Sequence, residues 1–175
     1  MPKVYVSVGS NIRRRSSIKS GMRALYEEYG VLSVSSVYET DAVGFSGDPF
    51  YNFVVAFNTE DKPTQIQQVM KQIEINCGRK RDGRKYNPRT LDMDLLLYGN
   101  LQIESASLQL PRDEIFKYAF VLEPLAELAP KLVCPGKNRS FRQLWRDYQR
   151  TRDWQPARIV DWDPVRANML AEKTA

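Results

Sequence analysis

Asp92 and Asp94 stand one residue apart in the run Leu91-Asp92-Met93-Asp94-Leu95-Leu96-Leu97-Tyr98. Ahead of that run lie Arg79, Lys80, Arg81, Arg84, Lys85 and Arg89, opposed only by Asp82. Successive side chains of a strand point to opposite faces, so the two aspartates share one face and Leu91, Met93, Leu95 and Leu97 the other. Neighbouring carboxylates repel unless a cation lies between them, and a hard divalent ion with oxygen ligands is the usual solution. Arginines suit phosphate oxygens, to which they donate in planar, paired fashion. Carboxylates for magnesium beside arginines for phosphate is the equipment of phosphoryl transfer. An arbitrary Asp-x-Asp is more often a solvated strand face, and a basic loop more often a plain surface patch. Here it is their adjacency that points to a site.

Composition narrows the chemistry. The chain has 175 residues and no histidine, which removes imidazole bases, histidine triads and histidine-ligated zinc. Two distant cysteines, Cys77 and Cys134, make neither a disulfide framework nor a CxxC pair, in keeping with a reducing cytoplasm. No apolar run is long enough for a bilayer. Met1-Pro2-Lys3 leads straight into a strand pattern, so no signal peptide is expected. The net charge of +5 suits a polyanionic partner, a nucleotide or a nucleic acid. The nucleotide-binding loop GxxxxGK[ST] is absent, so phosphate binding must rest on arginines and metal.

Those residues need elements to position them. Lys3 to Val8 alternates as a strand, and Gly9-Ser10-Asn11 ends it. Ile18, Met22, Leu25 and Tyr26 recur at helical spacing between about residues 12 and 29, with Gly30 as the stop. Val31 to Thr40 reads as a second strand, Asp41 to Asp48 as a loop, and Phe50 to Thr59 as a third, central strand. Pro63 or Thr64 opens a second helix that ends near Cys77-Gly78. The aspartate strand follows, turns at Gly99-Asn100, and has Leu101 to Ile103 as a short hairpin partner. Helical patterns cover Ile115 to Glu127 and Ser140 to Tyr148. The order strand, helix, strand, strand, helix, strand is that of the split βαβ, ferredoxin-like unit. The expected fold is thus α+β, a βαββαβ core with added strands and C-terminal helices in three α/β/α layers. One catalytic domain is expected over residues 1–150, and a loosely packed extension over 151–175.

The run Pro88-Arg89-Thr90-Leu91-Asp92-Met93-Asp94-Leu95-Leu96-Leu97-Tyr98-Gly99 closely resembles the signature of the 6-hydroxymethyl-7,8-dihydropterin pyrophosphokinase family, HPPK. Gly9-Ser10-Asn11, Ser35 to Thr40, Phe50-Tyr51-Asn52, Glu74 with Gly78-Arg79-Lys80-Arg81, and Phe120 to Pro130 are similar to further blocks of that family. The resemblance implies transfer of pyrophosphate from ATP to the hydroxymethyl group of the pterin, with release of AMP, in folate biosynthesis. It implies two magnesium ions on Asp92 and Asp94, and phosphate contacts from Arg79, Arg81 and Arg89. Glu74, Leu95 and Arg112 would lie on the nucleotide side. Thr40, Val43, Phe50, Asn52 and Phe120 would line the pterin pocket, the two phenylalanines sandwiching the bicycle. Either Asp94 or a metal-bound hydroxide could take the hydroxyl proton. The partners implied are two small molecules, without nucleic acid or membrane, acting on a cytoplasmic monomer.

The chain departs from the family pattern at three places. Pro111-Arg112-Asp113 replaces the usual Pro-His-Tyr, Tyr118 stands where an arginine commonly reaches the phosphates, and Tyr86 replaces a loop tryptophan. These departures make it a divergent member. They also motivate an alternative, a paralogue that binds pterin or nucleotide without efficient turnover. An RNA-binding ferredoxin-like module would need the run [KR]-G-[FY]-[GA]-[FY]-V, which is not present.

Overall fold

β1 (Lys3–Ser10) buries Val4, Val6 and Val8 on one face and Tyr5 on the other, so its alternation belongs to a strand covered on both sides. In the computed structural model, which describes residues 1–42, 46–78, 90–151, 154 and 157–165, that strand lies inside a six-stranded sheet. It is followed by α1 (Arg14–Tyr29), β2 (Ser33–Val34), β3 (Val37–Thr40), β4 (Phe50–Asn58), α2 (Pro63–Asn76) and β5 (Asp92–Tyr98). Then come β6 (Ile103–Glu104), β7 (Gln109–Leu110), α3 (Glu114–Lys117), α4 (Ala119–Leu128), α5 (Phe141–Thr151) and β8 (Arg158–Val160). The sheet runs β5-β1-β4-β3-β8, with β2 also on β4, and every pairing is antiparallel. This is the order of a split βαβ unit, extended by one strand at the β3 edge.

The helices divide between the two faces. α1 turns Ile18, Met22 and Leu25 inward, and α2 turns Ile66, Met70 and Ile73 inward, onto Val4, Val6, Val8, Phe53, Val55 and Phe57. α2 starts with Pro63, whose missing N–H costs nothing in a first turn, and Gln65 Oε1 accepts the Lys62 N–H at 2.8 Å. On the other face α4 brings Val121, Leu122 and Leu125, and α5 brings Phe141, onto Tyr5, Val54, Ala56 and Leu96. Gly21 of α1 marks a close approach, because a Cβ there would stand 2.5 Å from Leu91 Cδ2. That contact seats the residue just before Asp92. No helix among the described residues is long and apolar enough to cross a membrane.

Four expectations are corrected. The second strand is broken into β2 and β3, because Ser35 leaves the ladder to accept the Val54 N–H on its side-chain oxygen at 3.0 Å. The hairpin partner expected for the aspartate strand pairs elsewhere: Ile103–Glu104 forms a separate two-stranded ribbon with Gln109–Leu110. Leu97 does not share a face with Leu91, Met93 and Leu95. A register shift between Tyr5 and Val6 inserts a bulge, so Leu96 and Leu97 both pack towards α4. Finally, where the sequence predicts a loosely packed extension, Arg158–Val160 pairs with Val37–Glu39, and Trp162 and Val165 pack on the core.

Candidate functional site

Gly9, near the end of β1, pairs with Asp92 of β5 on one side and Asn52 of β4 on the other, and Asn52 pairs in turn with Tyr38 of β3. Residues directly paired across antiparallel strands put their side chains on the same face. Asp92 and Asn52 therefore stand on one face, two strand spacings or about 10 Å apart, with no side chain between them. A Cβ on Gly9 would meet Asn52 Oδ1 at 3.0 Å and Phe50 Cδ1 at 3.8 Å. Glycine here keeps the floor open and lets the Asn52 amide and the Phe50 ring settle against the backbone. The face is the one covered further along by α4.

On the Asn52 side the groups are neutral and closely held. Asn52 is only 8 % exposed, and its Nδ2 donates to Thr40 Oγ1 at 2.7 Å. The amide keeps a second N–H and a carbonyl oxygen for a ligand's polar edge. Phe50 opens β4 opposite Thr40. Phe120 lies in the first turn of α4, its ring stacked on Tyr118 with centroids 5.0 Å apart and planes 16° apart. Thus Tyr118, at the position where the family commonly has arginine, backs one face of Phe120. α4 is in turn anchored on β3. Glu127 accepts the Ser36 N–H at 2.9 Å, the Ser36 hydroxyl at 3.0 Å and the Tyr38 hydroxyl at 2.6 Å. Burial, then the bond to Glu127, pushes the Tyr38 hydroxyl's pKa up. One turn nearer Phe120, burial and the charge of Glu127 push the Glu123 carboxyl up to about 7.

On the Asp92 side the groups are ionic and partly open. β5 is an edge strand, and edge strands need their outward polar groups covered. Here Glu74 Oε1, 4 % exposed, accepts the Met93 N–H at 2.8 Å, and the Arg112 N–H donates to Leu96 O at 3.0 Å. The second bond carries the Arg112 side chain over the strand. Its Nη2 lies 2.9 Å from Asp94 Oδ1, and its Nε lies 3.1 Å from Glu114 Oε2. The three side chains are 30 % (Arg112), 35 % (Asp94) and 39 % (Glu114) exposed.

The described residues therefore bring together Asp92, Asp94, Glu74 and Arg112 on one flank and Thr40, Phe50 and Asn52 on the other. Phe120 sits on the helix that covers this face. Leu95, also expected on the nucleotide side, turns its side chain into the cluster against α1 and α2, on the far side of the strand from the aspartates, which leaves its backbone for that role. Glu74 acts at least in part as a support, holding the amide that lies between the two aspartates. Val43, Arg79, Arg81 and Arg89 lie outside the described residues. As a donor set, Asp92 and Asp94 supply only carboxylate oxygens. Among the described residues no group of three or more histidine, cysteine or acidic side chains could hold a metal ion. Such a pair fits magnesium, which takes one or two carboxylates and fills its octahedron with water and phosphate oxygens.

Gly9-Ser10-Asn11, which the sequence alone reads as the end of a strand, ties the site together. The buried Ser10 hydroxyl donates to Thr90 O, fixing the entry to β5. Asn11 Nδ2 donates to Asp48 O at 3.2 Å. Arg14, just beyond, donates from Nη1 to Glu39 Oε2 at 2.8 Å and Pro49 O at 3.0 Å, with its guanidinium 4.0 Å from the Tyr51 ring centroid. The available signal was the order of small and polar residues after a buried strand, which a plain turn would explain equally well.

A family model described as 7,8-dihydro-6-hydroxymethylpterin-pyrophosphokinase (HPPK) matches residues 5–130. The 2-amino-4-hydroxy-6-hydroxymethyldihydropteridine pyrophosphokinase of Bacillus subtilis is 34 % identical over 161 residues, spanning 90 % of this chain and 93 % of that protein. The protein of the same name from Pseudomonas aeruginosa is 38 % identical over 137 residues, 76 % of this chain and 84 % of its own. Among solved structures, the HPPK-DHPS of Plasmodium falciparum superposes with a TM-score of 0.67 at 13 % identity. That match spans 84 % of this chain and 42 % of the longer one, and speaks to the fold. On the family match and the identity to these relatives, the chain belongs to the HPPK family.

Proposed function

We propose that this protein transfers a pyrophosphoryl group from ATP to the hydroxymethyl group of 6-hydroxymethyl-7,8-dihydropterin, a step of folate biosynthesis. The observation that carries the reading is the row Asp92–Gly9–Asn52, which sets a carboxylate flank and a neutral, hydrogen-bonding flank on one face with an open floor between. The pterin's polar edge is read by the Asn52 amide, held in place by Thr40. Phe120, backed by Tyr118, and Phe50 offer ring faces to the planar bicycle. Asp92 and Asp94 would hold two magnesium ions, and Arg112 would donate to phosphate oxygens. When bound, magnesium supplies neutralisation of the charge between the incoming oxygen and the polyphosphate. In the reaction the hydroxymethyl oxygen forms a bond to the β-phosphorus while the bond from that phosphorus to the oxygen bridging the α-phosphorus breaks. AMP leaves with the electron pair, and the hydroxyl proton is released. The chain's own contribution is positioning, since two substrates held at fixed separation react as one molecule.

The test is to incubate the protein with ATP, magnesium and the hydroxymethyl pterin and to identify the nucleotide product by phosphorus NMR. AMP with pterin diphosphate is expected, and Asp94→Asn should lower turnover by about 10²–10³-fold, the usual loss when a transition-state charge partner is removed. ADP as product, or an Asp94→Asn variant as active as wild type, would overturn the reading. Pterin binding without AMP would instead identify a binder that has lost turnover.

A further inference from the structure

Arg112 is held between two carboxylates, one of which, Asp94, is assigned above to metal. Its Nη2 lies 2.9 Å from Asp94 Oδ1 and its Nε 3.1 Å from Glu114 Oε2. The second contact is close but misaligned, since the buried Nε makes no hydrogen bond. The guanidinium thus stands in ion-pair contact with both carboxylates. Its own backbone N–H is fixed to Leu96 O, so the side chain can swing about a stationary anchor. Glu114 opens the short helix α3 immediately beyond Arg112, and its carboxylate is available to keep the guanidinium if Asp94 lets go.

We propose that Arg112 is an internal counter-cation of the metal carboxylate, and that metal entry is an exchange in which Asp94 releases the guanidinium and Glu114 retains it. The inference rests on the assignment of metal to Asp92 and Asp94. It makes the departure Pro111-Arg112-Asp113 a functional one: the aspartate strand carries a built-in positive charge before metal arrives. A divalent ion must displace a resident cation, so metal alone binds weakly. A polyphosphate offers the displaced guanidinium a new anion, so metal and nucleotide bind cooperatively. Arg112 is in this sense a positioning residue for the metal ligands, and Glu114 its holder. Both charges stay on the protein throughout, and no bond is made or broken beyond ion pairs.

The test uses manganese alone as an electron-spin-resonance probe, without nucleotide, on the full chain. Arg112→Gln should bind manganese about 30-fold more tightly than wild type, the effect of removing one unit charge about 4 Å from a divalent ion in water-like surroundings. Glu114→Gln should bind it more weakly, because the guanidinium is then left wholly to Asp94. Arg112 side-chain ¹⁵N signals, identified by their loss in Arg112→Gln, separate exchange from a fixed field. They should move when magnesium saturates the wild type, and should already be displaced in metal-free Asp94→Asn. Unchanged or weaker manganese binding by Arg112→Gln, or Arg112 signals that stay in place at saturating magnesium, would overturn the exchange. If Asp92→Asn and Asp94→Asn bind manganese like wild type, the metal assignment itself fails, and the exchange with it.

Discussion

The two flanks of the Asp92–Gly9–Asn52 row are built from opposite materials. On the Asn52 flank buried Asn52 and half-buried Thr40 are neutral and bonded to one another, and the covering helix is pinned to β3 through Glu127. On the Asp92 flank Arg112, Asp94 and Glu114 are charged and about one-third exposed, joined by ion pairs. Partly exposed pairs of this kind contribute about 0–1 kcal/mol each, whereas an unpaired buried polar group costs about 1–3 kcal/mol. The first arrangement resists change and suits recognition of a rigid, flat substrate by shape. The second is easily rearranged and suits ions and phosphates that arrive and leave. One sheet face thus combines a fixed gauge and an exchangeable charge set, and β1 is the partition between them.

The contrast can be broken at its stiff side first. Asn52→Ala removes the amide and strands Thr40, and it should raise the KM for the pterin by about 10–100-fold, the worth of one or two hydrogen bonds. The KM for ATP should stay nearly constant in steady-state kinetics. Equal changes in both would mean that the flanks are not separate. Gly9→Ala tests the partition itself. Its methyl group would press on Asn52 Oδ1 at 3.0 Å, so a few-fold rise in pterin KM is expected while manganese binding at the aspartates is unaltered. The smallest effect concerns stability. Glu123, pushed up to about 7 by burial and by Glu127, binds a proton in the folded chain that the unfolded chain has already lost above about pH 4.3. The unfolded state then holds fewer protons, so stability falls as pH rises from there through about 7. Glu123→Gln should flatten that slope, raising Tm at pH 8 and leaving it nearly unchanged at pH 4; a parallel shift at both would reject the burial account.

Much of this molecule is legible in the chain because its strands and long helices repeat a pattern. The alternation from Lys3 to Val8 and the spacing of Ile18, Met22 and Leu25 follow from burial on one face, which local sequence records. The paired aspartates were visible for the same reason. Arg158–Val160 was not, since three residues carry no period and the pairing to Val37–Glu39 is a long-range event. The bulge that turns Leu97 to the α4 side was equally hidden, because it is decided between two strands rather than within one. At the site, residue type singled out Asp92, Asp94 and Asn52, which the fold sets on one face. It did not reveal what each is bonded to. That Glu74 caps the Met93 amide, or that Arg112 rests on Asp94, depends on how the outer edge of β5 is covered.

The position of β1 also bears on how the site comes into being. This strand is the first element made, yet Val8 pairs with Phe53 and Met93, partners 45 and 85 residues away along the chain. Contacts so distant in sequence must wait for long loops to close, and topologies dominated by them fold slowly. Gly9 meets the Asn52 flank only once β4 has returned, and the Asp92 flank only once β5 has. A nascent or truncated chain ending before Tyr98 would therefore hold the strands of the Asn52 flank without their Asp92 neighbour, leaving the edge of β1 open to another copy.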